Sequence, residues 1–251
     1  MISVVVTNYN ESEKLKKCLQ SVKDFADEIV IIDLESEEKL DNIEKEFNAK
    51  IATHKFVPYV ELVRNFSISQ AQNEWILILD PDEVVGDKLK YRLKEISQEG
   101  KYNAVNIPRK NVFFGKWIAH SNWWPDRHIR FFDKQYVKWS QKIHSYPEVD
   151  GKILNLPSQK ELAIEHFGYS NISEFIERQN RYSTIDALNR YENGERFSFF
   201  RFIWRPLREF LVRYIKHLGF LDGKYGFSLT VLMMIYQLIV EVKLWELKKK
   251  N

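Results

Sequence analysis

Short apolar runs alternate with amphipathic stretches over the first hundred positions. ISVVVT (residues 2–7), EIVIIDL (28–34) and EWILILD (74–80) carry the continuous apolar character of strands buried on both faces, and KIATHK (50–55) predicts a short strand between the last two. Between them, residues 11–26 place Leu15, Leu19, Val22 and Phe25 at helical spacing behind an acidic start. Residues 37–47 and 59–71 predict two further helices. A β-α-β-α-β-α-β order with short connections predicts a parallel sheet flanked by helices.

After position 100 the rhythm changes. NAVNIP (103–108), HIRFFD (128–133) and KELAIEHF (160–167) predict strands separated by aromatic-rich loops. Helical patterns follow at 172–192, 199–217 and 225–247. The expected organisation is an α/β domain over 1–170 and a helical C-terminal extension over 171–251, with no internal repeat.

Composition narrows the class. The 251 residues are 44% hydrophobic and 29% charged, as in folded globular chains, and aromatics stand at 14%. A net charge of +3 does not make the whole chain a polyanion binder. The single cysteine, Cys18, cannot form an intrachain disulfide; it reads as a buried apolar helix residue in a reducing compartment. The N-terminal stretch lacks the basic and apolar regions of a signal peptide.

The candidate chemistry sits in ILILDPDEVV (76–85), where an apolar strand runs into Asp80, Asp82 and Glu83 around Pro81. The first glycine of the chain is Gly86, so the preceding strand-to-helix turns lack the glycines that P-loop and dinucleotide-binding turns need. A nucleotide bound to this sheet would need another source of positive charge. A divalent cation held by carboxylates is the expected one. The competing reading makes Asp82 and Glu83 the opening of the helix GDKLKYRLKEI, with Glu83 doing only that.

The pattern also resembles the first motif of haloacid-dehalogenase-type phosphatases. That motif belongs on the first strand of its domain, whereas three β-α units precede it here. SVVVTNYNE (3–11), EIVIIDLESEE (28–38), RNFSISQAQNEWILILDPDE (64–83) and FGKWIAHSNWWPDRHIRFF (114–132) together resemble family 2 glycosyltransferases of the GT-A fold. IEHFGYSNISEFIERQNRYS (164–183) and GFLDGKYGF (219–227) resemble that family's lipopolysaccharide-core glucosyltransferase-like branch.

The resemblance implies a Rossmann-like α/β fold with a mostly parallel central sheet. It also implies inverting transfer of a sugar from a nucleotide sugar, a UDP-sugar by family default, to a glycan or lipid-linked acceptor. Thr7, Tyr9 and Asp33 would contact the base, Arg64 and Asn65 the diphosphate region, and Asp80 the ribose or a metal-bound water. Asp82 would hold Mn²⁺ or Mg²⁺, with His166 a further ligand. A solvated helix charge is the competing reading of Arg64, and a structural histidine that of His166. The related branch carries His-Glu where this chain has His144 and Ser145. The expected base therefore passes to Asp126, with Glu148 behind it. Trp117, Trp123 and Trp124 are candidate acceptor platforms or core residues.

The stretch 196–217 holds six Lys/Arg, seven aromatics and one acid, and 227–240 is fourteen residues without a charge. Fourteen falls short of a bilayer span. Interfacial helices on an anionic membrane are expected, giving a cytoplasmic protein peripheral on the inner face. A packed helical layer or a homo-oligomer interface is the alternative, and nucleic acid is not an expected partner. The alternative function is a non-catalytic nucleotide-sugar-binding or membrane-associated scaffold protein.

Overall fold

The computed structural model describes residues 1–139 and 146–249. The chain divides into two compact units. The first holds residues 1–109 and 126–166, the second 110–125 and 167–251.

In the first unit the chain begins β1 (Ile2–Asn8), α1 (Ser12–Val22), β2 (Glu28–Asp33), α2 (Asp41–Phe47) and β3 (Lys50–Thr53). It continues with α3 (Arg64–Ser69), β4 (Trp75–Leu79), β5 (Glu83–Val85) and α4 (Asp87–Glu99). Next come β6 (Ala104–Phe113), β7 (Lys116–Trp117) and β8 (Asp126–Asp133). Short β9 (Val137–Lys138), β10 (Glu148–Val149) and β11 (Ile153–Asn155) precede β12 (Ile164–Tyr169). Of these, β7 and the far ends of β6 and β12 lie in the second unit.

The strand order is β3-β2-β1-β4-β8-β6-β12-β5. The first four strands are parallel, as their apolar runs predict. From β4 to β8 the pairing turns antiparallel, as it is between β6 and β8 and between β5 and β12. Side chains of β1 alternate between two cores: Val4 and Val6 pack with Leu15 and Leu19 of α1, and Val5 packs with Ile68 of α3 on the opposite face. Strands buried on both faces cannot show polar alternation, which is why these runs are continuous.

Arg130 interrupts β8. Val105 pairs Phe131 and Asn106 pairs Ile129, so the register skips Arg130. The extra residue resets the alternation, sending Ile129 and Phe131 to opposite cores and re-aiming the arginine, a recurrent use of bulges near sites.

The reading of Asp82 and Glu83 as a helix opening is corrected. The helix starts at Asp87 behind Gly86, and Glu83 is a fully buried strand residue. Val84 and Val85, ahead of Gly86, allow a short strand to intervene, which pairs with β12.

In the second unit, α5 (Ile172–Glu192) starts at Asn171, whose side chain accepts from the Glu174 amide. α6 (Phe199–Phe210) runs into a π-helical turn over Leu211–Lys216, and α7 (Lys224–Lys249) closes the chain. Phe113, Phe175, Leu229 and Met233 form one core of this unit; Ala187, Val240 and Leu244 form another.

Candidate active site

The parallel strands β2, β1 and β4 end side by side, with Asn8 level with Asp33 and Val6 level with Leu79. Open α/β sheets bind ligands at such carboxyl ends. Three buried polar atoms there make no hydrogen bond: Thr7 Oγ1, Asn8 Oδ1 and Asp33 Oδ1. Orphaned polar atoms are costly unless a ligand or water completes them. Asp33 also accepts from the Ser36 amide through Oδ2 at 3.3 Å. Tyr9 follows on the surface, 42% exposed, with its ring 4.6 Å from that of Phe56.

Beyond β4 the chain turns at Asp80-Pro81-Asp82-Glu83. The Glu83 amide donates to the Asp80 carbonyl at 3.0 Å, closing a four-residue turn in which proline holds the second position. The Glu83 carboxylate in turn accepts from the Asp80 amide at 2.9 Å. The acids are compensated by arginines. Asp80 accepts from Arg64 at 2.7 Å and from Arg130 at 2.6 Å, and Arg130 also reaches Glu83 at 2.9 Å. Arg109 lies 3.6 Å from Glu83 and clamps Asp126 Oδ2 through Nη2 at 2.6 Å and Nε at 2.9 Å. His128 Nε2 stands 3.0 Å from Asp126 Oδ1.

Burial alone would raise the Asp80 carboxyl, but Arg130 and Arg64 more than offset it and hold it well below the usual carboxylate range. Burial also opposes the charge of Arg130, yet Asp80 and Glu83 keep that guanidinium more firmly protonated than an ordinary arginine. Burial pushes His128 below the usual histidine value, partly opposed by Asp126, which favours the neutral ring at pH 7. Cys18 lies buried nearby; burial and then the charges of Glu83, Asp82 and Asp80 push its thiol well above its ordinary value. It is an inert core residue, as its helical spacing predicts.

Arg64 is therefore not a solvated helix charge: it is 3% exposed and bound to Asp80. The Asn65 amide is engaged at both ends by the Trp139 backbone, donating at 2.8 Å and accepting at 3.0 Å. Asp82 is buried, and His166 Nε2 approaches its Oδ2 at 3.5 Å because β12 runs antiparallel to β5 with His166 opposite Glu83. A carboxylate oxygen and an imidazole nitrogen side by side suit Mn²⁺ better than Mg²⁺, which takes oxygen ligands, provided substrate oxygens and water complete the shell. Among the described residues no group of three or more His, Cys, Asp or Glu side chains gathers to hold a metal without such help.

Glu148 is exposed on β10, opposite Lys138. His144 and Ser145 lie outside the described residues. Within the second unit, Trp117 meets Trp124 edge-on at 5.6 Å, while Trp123 packs on Phe113 beneath the Arg213 guanidinium. The indole N–H groups of Trp117 and Trp123 are buried without a partner. Sequence reading missed Arg109, His128 and Arg130. The available signal was a charge inside each of two apolar strands, which predicts a buried counter-charge.

Comparison with known proteins fits this arrangement. An uncharacterized glycosyltransferase of Rickettsia typhi is 26% identical over all of this chain and 88% of its own length. The lipopolysaccharide core biosynthesis glycosyltransferase LpsC of Rhizobium meliloti is 24% identical, covering 98% of this chain and 92% of its own. S. aureus TarS, solved in complex with UDP, superposes with a TM-score of 0.50 over 97% of this chain and 88% of that chain at 17% identity, a likeness of GT-A fold. A family model described as glycosyl transferase family 2 matches residues 3–148, a span that includes the strand ends, the acidic turn and its arginines, and the chain belongs to that family.

Proposed function

We propose that this glycosyltransferase moves a sugar, with inversion, from a nucleoside-diphosphate sugar to a hydroxyl of a bacterial surface glycan or lipid-linked acceptor at the cytoplasmic membrane face. The observation that carries the reading is the row of orphaned polar atoms, Thr7 Oγ1, Asn8 Oδ1 and Asp33 Oδ1, beside the acidic turn at the ends of adjacent strands. A nucleoside has the donors and acceptors to complete them, and exposed Tyr9 offers a face for the base. UDP-sugars are the first donors to try, since TarS shares the fold and is solved with UDP.

Asp82 and His166 would hold a divalent cation, which when bound supplies positive charge for the leaving diphosphate. Arg64 and Arg130 fix Asp80 and Glu83, so the turn presents Asp82 in one geometry. Asp126 takes the proton of the acceptor hydroxyl at Oδ1, the oxygen shared with His128, while Arg109 holds Oδ2 and orients the carboxylate. Glu148 is the second candidate base.

The test is incubation with a panel of nucleoside-diphosphate sugars and Mn²⁺, following release of the nucleoside diphosphate. Release with at least one donor, abolished by Asp82→Ala, is expected. If no donor is consumed, or Asp82→Ala turns over like the parent, the reading fails. A second reading, a nucleotide-sugar-binding protein without turnover, draws on the engagement of both Asp126 oxygens. It predicts donor binding by calorimetry with no product in any acceptor mixture.

A further inference from the structure

The second unit carries a helix that is inside out. In water, an amphipathic helix turns its polar face outward. On α6, Arg201 and Arg205 turn inward instead, to the fully buried Glu241 of α7, at 3.3 and 2.9 Å. The outward face is apolar. Phe200, Ile203, Trp204, Leu207 and Leu211 recur at helical spacing, and Ile215 extends the row into the π-helical turn. Their exposure runs from 44% at Leu211 to 72% at Phe200.

Along α6 and the turn after it the exposed charges are of one sign. Between residues 199 and 227 the exposed ionised side chains are Arg208, Lys216 and Lys224. The two acids of the stretch are withdrawn: Glu209 pairs with Arg213, and buried Asp222 accepts from the Ala119 and His120 amides.

We propose that this face of α6 lies in the interface of an anionic lipid bilayer, with the apolar row among the acyl chains and Arg208, Lys216 and Lys224 at the phosphate level. Twelve residues of α-helix are about 18 Å long, too short to cross a hydrocarbon core of about 30 Å. α7 is long and apolar enough to cross, with a mean hydropathy of 1.6 in an eighteen-residue window of Lys224–Lys248. However, that window contains Glu241, which α7 holds against the α6 arginines, and the helix buries Leu229, Val240 and Leu244 within the unit. A second copy of the chain is the weaker occupant, because a two-fold contact brings the same cations onto one patch. The proposal is independent of the transfer chemistry.

Flotation of the full chain with vesicles tests it without any donor. Binding is expected to vesicles containing about 30 mol% phosphatidylglycerol, weaker binding to phosphatidylcholine alone, and loss of most of the difference at about 0.5 M salt. Leu207→Glu with Leu211→Glu should abolish flotation. Replacing Arg208, Lys216 and Lys224 by serine should lower the partition coefficient about a hundredfold. Both variants alter exposed positions, and an unchanged thermal midpoint shows that they remain folded. The proposal is overturned if the parent stays with the soluble fraction, or if the folded Glu variant floats equally well. A dimer seen by light scattering that the Glu variant dissolves, without flotation of the parent, would assign the face to a second copy instead.

Discussion

Replacing Arg130 by methionine isolates the charge compensation beneath the acidic turn. The substitution keeps much of the side-chain volume and removes one guanidinium from Asp80 Oδ2 at 2.6 Å and from Glu83 Oε1 at 2.9 Å. Arg130 is 7% exposed and Glu83 is fully buried, so water does not readily replace the lost donor. Removing one partner of a buried ion pair costs about 3–5 kcal/mol. The lower end applies, because Asp80 keeps Arg64 and Glu83 keeps the Asp80 amide. At about 2–4 °C per kcal/mol for chains of this size, a loss of about 3 kcal/mol lowers the thermal midpoint by about 6–12 °C. Urea unfolding at neutral pH measures it directly. The sign with pH is fixed by Asp80. Its folded value is depressed, so its contribution is complete above the ordinary carboxylate value of about 3.9 and is lost as pH falls through the depressed value. With one guanidinium gone the depression is smaller, so the gap between parent and variant narrows below about pH 4. A variant within about 0.5 kcal/mol of the parent at neutral pH, or a gap that widens on acidification, would refute the compensation argument.

Asp126→Asn should lower kcat about 10²–10⁴-fold with little change in the KM for donor, while Glu148→Gln stays near the parent; the reverse ranking would transfer the base to Glu148. His128→Gln should remove a stability loss on the acid side of about pH 6.5, because burial depresses the folded value and the unfolded histidine protonates first; pH-dependent urea midpoints read it. Glu241→Gln removes the charge holding Arg201 and Arg205, and should lower the thermal midpoint by several degrees and expose α6 to limited proteolysis. Tyr9→Ala should weaken nucleoside diphosphate binding in calorimetry without moving the thermal midpoint, since its ring is on the surface.

The parallel half of the sheet was legible because its physics is local. A strand buried on both faces must be apolar throughout, and β1, β2 and β4 are. The helix over 172–192 was legible from its pattern, and the structure caps it at Asn171, which accepts from the Glu174 amide. What escaped were features set by distant pairing. Nothing beside Glu83 in sequence states that β12 returns from eighty residues later to form a strand with it, so its charge read as a helix start. Arg130 was invisible as a site residue because its direction depends on a bulge against β6. Asp80 and Asp82 were legible as a pair, and the resemblance gave them different roles with His166 beside Asp82, but the difference in their charged partners was not legible. One is bracketed by two arginines and the other faces a histidine.

That difference changes why a cation is expected. The missing glycines suggested that the sheet had nothing positive to offer a diphosphate except a metal. The structure supplies three guanidiniums at the turn, so positive charge is present in quantity. Each of them is already bonded to a carboxylate: Arg64 and Arg130 to Asp80, Arg109 to Asp126. Drawing Arg64 or Arg130 onto a phosphate would leave Asp80 buried and under-compensated, at a cost comparable to the gain. Arg64 nevertheless keeps one buried nitrogen, Nη1, without a hydrogen-bond partner, so that guanidinium has a donor to offer an anion while Nη2 still holds Asp80. In the proposed reaction a divalent cation, which Asp82 and His166 would hold, would supply further positive charge at the diphosphate. The arginines also act on geometry, fixing Asp80 and Glu83 on either side of Asp82 in the turn.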